Sequence, residues 1–201
     1  MYVRDAKNRE EVWLLDHIEL MGLDERAFRS RDYVIAIDEH SGEKAGFGRI
    51  RIHQTDAGDY CELTSIGVIE DWRNNGVGAH IIERLIEYAD DADFDVVYTL
   101  APLPDYLSQF GFRPIDDADL PDPLHSRVAD KRERHADHIV PMEIRVDDFS
   151  MPPILRERFK RVGKPDDEPR GGESDTEELI EEFGIDPDQA TYKYDTSGRR
   201  S

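Results

Sequence analysis

The stretch from Glu62 to Asp90 limits the fold more than any other part of this 201-residue chain. It begins with a strand-length run, Leu63-Thr64-Ser65-Ile66-Gly67-Val68, and passes through Ile69-Glu70-Asp71-Trp72. Arg73-Asn74-Asn75-Gly76-Val77-Gly78-Ala79 follows and opens a helical pattern that continues through Tyr88. Val77, Ile81, Ile82, Leu85, Ile86 and Ala89 recur there at helical spacing. A strand, a glycine-bearing turn and a helix, in that order, suit a polyphosphate. The first turn of a helix carries backbone N–H groups without intrahelical partners, at the positive end of the helix dipole. Gly76 and Gly78 lack Cβ, so an oxygen-rich ligand can come close to the backbone. Two other phosphate motifs are excluded by inspection. Position 81 is Ile where a dinucleotide fingerprint needs its third glycine, and the Gly-Lys-Ser/Thr of a P-loop is missing.

Charge narrows the class of partner. A formal net charge of −20 argues against nucleic acid or an anionic membrane, since both need basic patches. The bias is specific: 27 Asp against 19 Glu, and 20 Arg against 6 Lys, with acids spread along the chain. Acidic, lysine-poor surfaces look like those of salt-adapted proteins, where concentrated salt screens self-repulsion. The single cysteine, Cys61, cannot form an internal disulfide. No apolar run approaches the ~20 residues of a membrane span. With no leader-like start at Met1-Tyr2-Val3, these features predict a cytoplasmic protein.

Taken in order, the elements alternate in type. Tyr2-Val3-Arg4 reads as an edge strand, and Asn8 with Glu11 as a capping box. A helix with Val12, Leu14, Leu15 and Ile18 follows and stops at Gly22. Strands are predicted at 33–37, 45–53 and 61–68, with a polar loop at 54–59. Alternation in the second of these puts Ile50 and Ile52 on one face, and Phe47, Arg49, Arg51 and His53 on the other. A strand at 94–100, a break at Pro102 and Pro104, a short helix at 105–110, a helix near 124–134 and a last strand at 139–146 complete the pattern. The domain is expected to span 1–150 and to end where Pro152-Pro153 leaves regular structure. Residues 151–201 then form a linker and an acidic, largely disordered tail; residues 164–188 carry eleven acids against two bases. Within it, Asp175-x-x-Glu178 and the face of Leu179, Ile180 and Phe183, closed by Gly184, predict a short helix near 175–183.

Arg73-x-x-Gly76-x-Gly78-Ala79, soon after a strand and opening an amphipathic helix, resembles the acetyl-CoA signature of the GNAT N-acetyltransferases, Gln/Arg-x-x-Gly-x-Gly/Ala. The match has no gap. With the acidic composition, the resemblance is to a haloarchaeal-like member. It implies an α/β (α+β) fold over residues 1–150: a mixed, mostly antiparallel sheet splayed near its middle, with flanking helices. It also implies acetyl-CoA as acyl donor and direct attack by an amine, without a covalent acyl-enzyme. By that resemblance, Ile66, Gly67 and Val68 lie along the pantetheine and thioester and donate to the carbonyl oxygen. The pyrophosphate rests on Asn74, Asn75, Gly76, Val77, Gly78 and Ala79, with Arg73 nearby.

The same resemblance nominates Glu62 as the base, eleven residues before Arg73. Burial in an apolar strand would raise its pKa toward a useful value. A carboxylate simply solvated at the strand's end is the competing reading. Many family members place an acid tyrosine four residues before a Gly-Phe pair; here the pair is Gly111-Phe112 and the slot holds Leu107. Tyr106 is the neighbouring candidate, with a packing role equally open. An apolar residue in that slot, with Gly111-Phe112-Arg113-Pro114-Ile115-Asp116 and Leu120-Pro121, is similar to the N-acetylglutamate synthase branch, though the cysteines often seen there are missing. The acceptor is expected to be a small-molecule amine or an amino acid, whose carboxylate Arg49 or Arg51 could hold. A protein lysine or N-terminus, or a non-catalytic acyl-CoA-binding module, are the alternatives. The seven histidines show no metal-ligand spacing, so no metal is expected.

Overall fold

The computed structural model describes residues 1–24, 26–135 and 139–162. The acidic tail, with the short helix expected near 175–183, and His138 lie outside the described residues. The strands are β1 (Tyr2–Asp5), β2 (Tyr33–Ile37), β3 (Lys44–Thr55), β4 (Gly58–Val68), β5 (Val96–Ala101), β6 (Arg113–Pro114) and β7 (Val140–Arg145). They form one sheet in the order β1-β2-β3-β4-β5-β7-β6. Each neighbouring pair is antiparallel except β4 and β5, giving the expected mixed, mostly antiparallel sheet. The helices are α1 (Glu11–Leu20), α2 (Val77–Asp91), α3 (Pro104–Ser108), α4 (Asp122–His135) and α5 (Pro153–Arg161).

Strand alternation sorts side chains into two cores. Leu14 and Ile18 of α1 close over Tyr33, Ile35, Ile37 and Phe47 on one face. On the other, Ile81, Ile82, Leu85 and Ile86 of α2 pack on Val34, Ala36, Ile50 and Leu63. The stripe read from the sequence is therefore the sheet-facing side of α2. A third cluster forms where Leu124 and Val128 of α4 cover Leu100 and Ile139.

The sheet opens at its centre. Along β3 and β4 the register runs Phe47↔Gly67, then Arg49↔Thr64, so two residues of β4, Ser65 and Ile66, oppose one of β3, Gly48. This bulge holds Ser65 at φ 50, and such an insertion bends a strand and increases its twist. Pairing of β4 with β5 covers only Cys61–Leu63 against Val97–Thr99. From Thr64 to Val68, β4 presents an edge that β5 does not pair. At the far end the 54–59 loop is shorter than expected. The ladder continues to Thr55↔Gly58, because the Thr55 hydroxyl accepts from the Ala57 N–H at 3.2 Å and donates to the Gly58 carbonyl at 2.7 Å.

The largest departure from the sequence reading is α5. Pro153 does not end the domain; it sits in the first turn of a helix, where a missing N–H costs nothing. Leu155 and Phe159, one turn apart, are buried in the α2-side core, and Phe159 stacks on His80 with ring centroids 3.7 Å apart. Arg156 pairs with Glu83 of α2 at 2.6 Å. A chain ending at Met151 should therefore melt well below one ending at Val162, since each fully buried apolar side chain contributes about 1.5–3 kcal/mol. Equal melting temperatures would show that α5 is a passenger.

At the edge of the sheet, Arg4 of β1 holds the nearly buried Glu10 through bonds of 2.7 and 2.9 Å. The Glu10 carboxylate also accepts from the Lys7 N–H at 2.8 Å, so the capping carboxylate is Glu10 and not Glu11. The Arg4 hydrogen bond outweighs burial and lowers the Glu10 pKa to about 2. A carboxylate with a depressed folded pKa stabilises above its unfolded value near 4.5, and that contribution is lost as pH falls through about 2. Glu10→Gln should cost about 1–3 kcal/mol at neutral pH and almost nothing below pH 2, by urea melts across pH.

Candidate active site

The expected acyl-donor residues lie at the end of β4 and in the turn that leads into α2. The Ile69 N–H bonds back to the Ala45 carbonyl on the β3 side at 2.9 Å. Backbone groups alternate along a strand, so those of Val68 and Ile66 point to the opposite edge, into the gap beside β5. Arg73 folds back there and donates from Nε to the Val68 carbonyl at 3.4 Å. Gly67 is glycine for a packing reason. A Cβ would sit 2.6 Å from the Met21 sulfur and 2.8 Å from the Phe47 ring. Asn74 (φ 62) and Gly76 (φ 73) take left-handed conformations that swing the chain from the strand into α2. Gly76 is the N-cap, and its own carbonyl already accepts from the His80 N–H at 3.2 Å. Val77, Gly78 and Ala79 form the first turn of α2 and are buried.

At Gly76 the structure corrects the reason for the glycine. A Cβ there would meet the Leu155 carbonyl oxygen of α5 at 2.3 Å. That side of the turn is filled by the protein's own backbone, so the room left by the missing side chain is not open for a phosphate.

Glu62 lies on the other face of the sheet from the α2 core. It is completely buried, not solvated at a strand end. His53 Nε2 lies 2.8 Å from Oε2, and Arg127 Nη2 donates to Oε1 at 2.9 Å. Arg127 Nε is also only 2.7 Å from Oε2, yet its N–H is not aligned on it, so that contact is an ion pair without a hydrogen bond. Arg127 in turn pairs with Asp24 at 2.8 Å, and Arg26 of the same loop pairs with Asp130 of α4. A carboxylate–guanidinium–carboxylate bridge thus roofs this face between α4 and the loop after α1.

The sign of the Glu62 shift is opposite to the expectation. Burial pushes its pKa up, but the His53 hydrogen bond and the charges of Arg127 and Lys131 prevail and hold it below the ordinary carboxylate range. Glu62 is an anion at neutral pH. Being acceptor-only, it fixes the His53 proton on Nε2. Asp24 is held low in the same way: burial opposes, while the Arg26 N–H and the charge of Arg127 prevail.

Arg49, expected as a carboxylate holder, is spent on structure. It is almost fully buried and donates to the carbonyls of Arg26 at 2.8 Å and Ala27 at 2.6 Å. Its Nη2 also reaches Asp32 at 3.4 Å. Arg51 is half-buried on the same face, opposite Glu62 in register. Tyr106 lies in α3, its ring edge-on to Phe110 with centroids 5.3 Å apart, packed against the α2-side core. The structure brings Glu62, His53 and Arg51 together on one face, while Tyr106 packs against the α2-side core. Alternation in β3 placed His53 on the correct face. Arg127 and Asp24, 65 and 38 residues from Glu62 in sequence, carry no local signal.

A family model for the acetyltransferase (GNAT) family matches residues 2–112. The chain belongs to that family, whose members are acetyl-CoA-dependent acetyltransferases. Among solved structures, it is similar to the Mycobacterium tuberculosis protein Rv2747 in complex with CoA and NLQ, at 14% identity and TM-score 0.59, covering 72% of this chain and 99% of that one. It is also similar to N-acetylglutamate synthase from Neisseria gonorrhoeae complexed with coenzyme A and N-acetyl-glutamate, at 17% identity and TM-score 0.56. That match covers 72% of this chain and only 34% of the Neisseria protein, about a third of its length. Arabidopsis thaliana Naa50 with a bisubstrate analogue matches at 9% identity and TM-score 0.50, over 71% of this chain and 96% of that one. At these identities the likeness speaks for the fold alone.

Gly76→Val should both destabilise and weaken acetyl-CoA binding. A left-handed φ costs a side chain about 1–2 kcal/mol, and the new methyls would push α5 off the turn. A melting curve and a calorimetric titration on the same sample check this; an unchanged melting temperature would show that α5 does not press on Gly76.

Proposed function

We propose that the chain transfers the acetyl group of acetyl-CoA to the amine of a small molecule. One observation carries the reading: the unpaired β4 edge at Ile66–Val68 runs between the first turn of α2 and a roofed face holding an ionised, buried Glu62. The pantetheine would lie along that edge, with the pyrophosphate at the Asn74–Ala79 turn on the side that α5 leaves free. The amine nitrogen would attack the thioester carbonyl carbon, forming the C–N bond. The N–H groups of Ile66 and Val68 would donate to the oxygen as negative charge develops on it. The C–S bond would then break, and the ammonium proton would pass to Glu62, directly or through water. Tyr106 is the proposed donor to the departing thiolate, whose ordinary pKa of about 8.5 lets water serve as well.

The roof supports a small acceptor over a protein one. The Arg127–Asp24 and Arg26–Asp130 pairs tie α4 to the loop after α1 across Glu62, where an extended peptide would need an open groove. Among the structural neighbours, the Neisseria synthase was solved with N-acetyl-glutamate, in line with an amino-acid acceptor.

Thiol release from acetyl-CoA, measured against a panel of amines in several KCl concentrations, tests the reading. Coenzyme binding with no release by any amine would leave an acyl-CoA-binding module. Glu62→Gln should lower kcat by about 10²–10⁴-fold while acetyl-CoA affinity stays near wild type. Because Glu62 is held low, its protonation should not slow the wild type until the pH falls below about 4.5. A wild-type turnover in Glu62→Gln would remove it from the proton path.

A further inference from the structure

Two cations lie on the inward stripe of α4, and only one of them is spent on carboxylates. Leu124, Arg127, Val128 and Lys131 share one face of the helix by their spacing. Arg127 is divided between Glu62 and Asp24. Lys131, one turn further on, is half-buried and forms no ion pair among the described residues; its Nζ donates to the Leu100 carbonyl at 3.3 Å. The register shows where that carbonyl points. Leu100 opposes Pro141, whose own carbonyl accepts from the Ile115 N–H on the β6 side. Backbone groups of an antiparallel pair turn toward each other or away together, so Leu100 aims its carbonyl away from β7, at β4. Strand β4 pairs with β5 only as far as Leu63↔Thr99, one residue short of Leu100. The Leu100 carbonyl thus stands in the fork where the two strands part, and the Lys131 ammonium is bonded to it there. The acetyl-transfer reading puts the thioester in the same fork, along the β4 edge.

An amine at this place has what nucleophilic attack requires. Burial does most to push the Lys131 ammonium below the ordinary lysine range; Glu62 and Asp24 pull the other way, and Arg127 adds to the lowering. A lysine lowered in this way spends more of its time as the free amine, which is the nucleophilic form. Glu62, ionised and near enough for its charge to act on Lys131, is a ready proton acceptor. Reactants held in one gap by the same chain also avoid the entropy cost of meeting.

We propose that Lys131 is a modification site for the chain's own reaction: acetyl-CoA bound in the fork acetylates Nζ of the same molecule. The proposal rests on the acetyl-transfer reading and adds an acceptor that the chain itself carries. Nζ attacks the thioester carbonyl carbon, the N–C bond forms and the C–S bond breaks. The ammonium gives up two protons over the step, one to Glu62 and one to the departing sulfur, leaving an amide and the free coenzyme thiol. The amide carries no charge, so Glu62 loses one of the two cations that hold its pKa low. Self-acetylation therefore shifts the base of the site upward.

The test incubates full-length protein with acetyl-CoA and no amine, and follows every lysine by intact mass and peptide mapping. Lys131 should take up one acetyl group at least about 10-fold faster than the exposed Lys7 and Lys160, at a rate unchanged by diluting the protein. Glu62→Gln, shown to be folded by its melting curve, should slow that uptake by about 10²-fold or more. Uptake at Lys131 no faster than at Lys7 and Lys160, a rate that rises with protein concentration, or full speed in folded Glu62→Gln overturns the proposal. Acetylation of any amine by the same protein then leaves acetyl transfer standing. Lys131 acetylated while no amine is turned over upholds the proposal and overturns the small-molecule reading. Binding of acetyl-CoA with neither Lys131 nor any amine acetylated overturns both.

Discussion

Strand β4 serves two different neighbours along its length, and the site exists because it leaves one of them halfway. From Cys61 to Leu63 it pairs with β5. At Ser65 the bulge turns the strand, and from Thr64 onward its β5-side edge is unpaired. Exposed ladder groups are normally a liability, open to any strand that can add to them. Here the opening is flanked by α2 on one face and by the α4 roof on the other. The side chains follow from the same geometry. Residues 61 and 63 point into the α2 core, and residue 62 points to the opposite face.

A carboxylate buried in a sheet needs compensation, and this protein brings it from far away. Removing a charge from water costs several kcal/mol unless partners replace the lost solvation. His53 comes from the same hairpin, whereas Arg127 comes from a helix inserted between β6 and β7. The bridge Glu62–Arg127–Asp24 therefore ties the centre of the sheet to two peripheral segments. A buried ion pair of this kind is weak evidence for stability, but it fixes a geometry, because a lone remaining charge is far worse than none.

Much of the fold was legible because its signals are local. The period of two placed Phe47, Arg49, Arg51 and His53 together, and the period near 3.6 gave the buried stripe of α2. Gly22 ends α1 in a left-handed conformation (φ 61), as a glycine stop should. What failed were inferences needing distant partners. The pKa of Glu62 was expected to rise from burial alone, since nothing in residues 58–68 announces Arg127. Arg49 looked as available as Arg51 because its acceptors are main-chain carbonyls of an irregular loop, invisible to any side-chain pattern. The pair Pro152-Pro153 reads as an exit, yet a proline in a first turn is also a way into a helix. Only the positions of Leu155 and Phe159, one turn apart, hinted at which of the two applied.

The seat of α5 on the turn that leads into α2 changes what sequence tolerance at Gly76 can mean. The backbone there is left-handed, and the place of a side chain is taken by a main-chain oxygen of α5. Both requirements would hold in a protein that had lost its coenzyme altogether. A homologue without the C-terminal helix is released from one of them and keeps the other. Variation at this glycine across related chains is thus a record of whether a terminal helix docks there, written at a position usually read as a mark of chemistry.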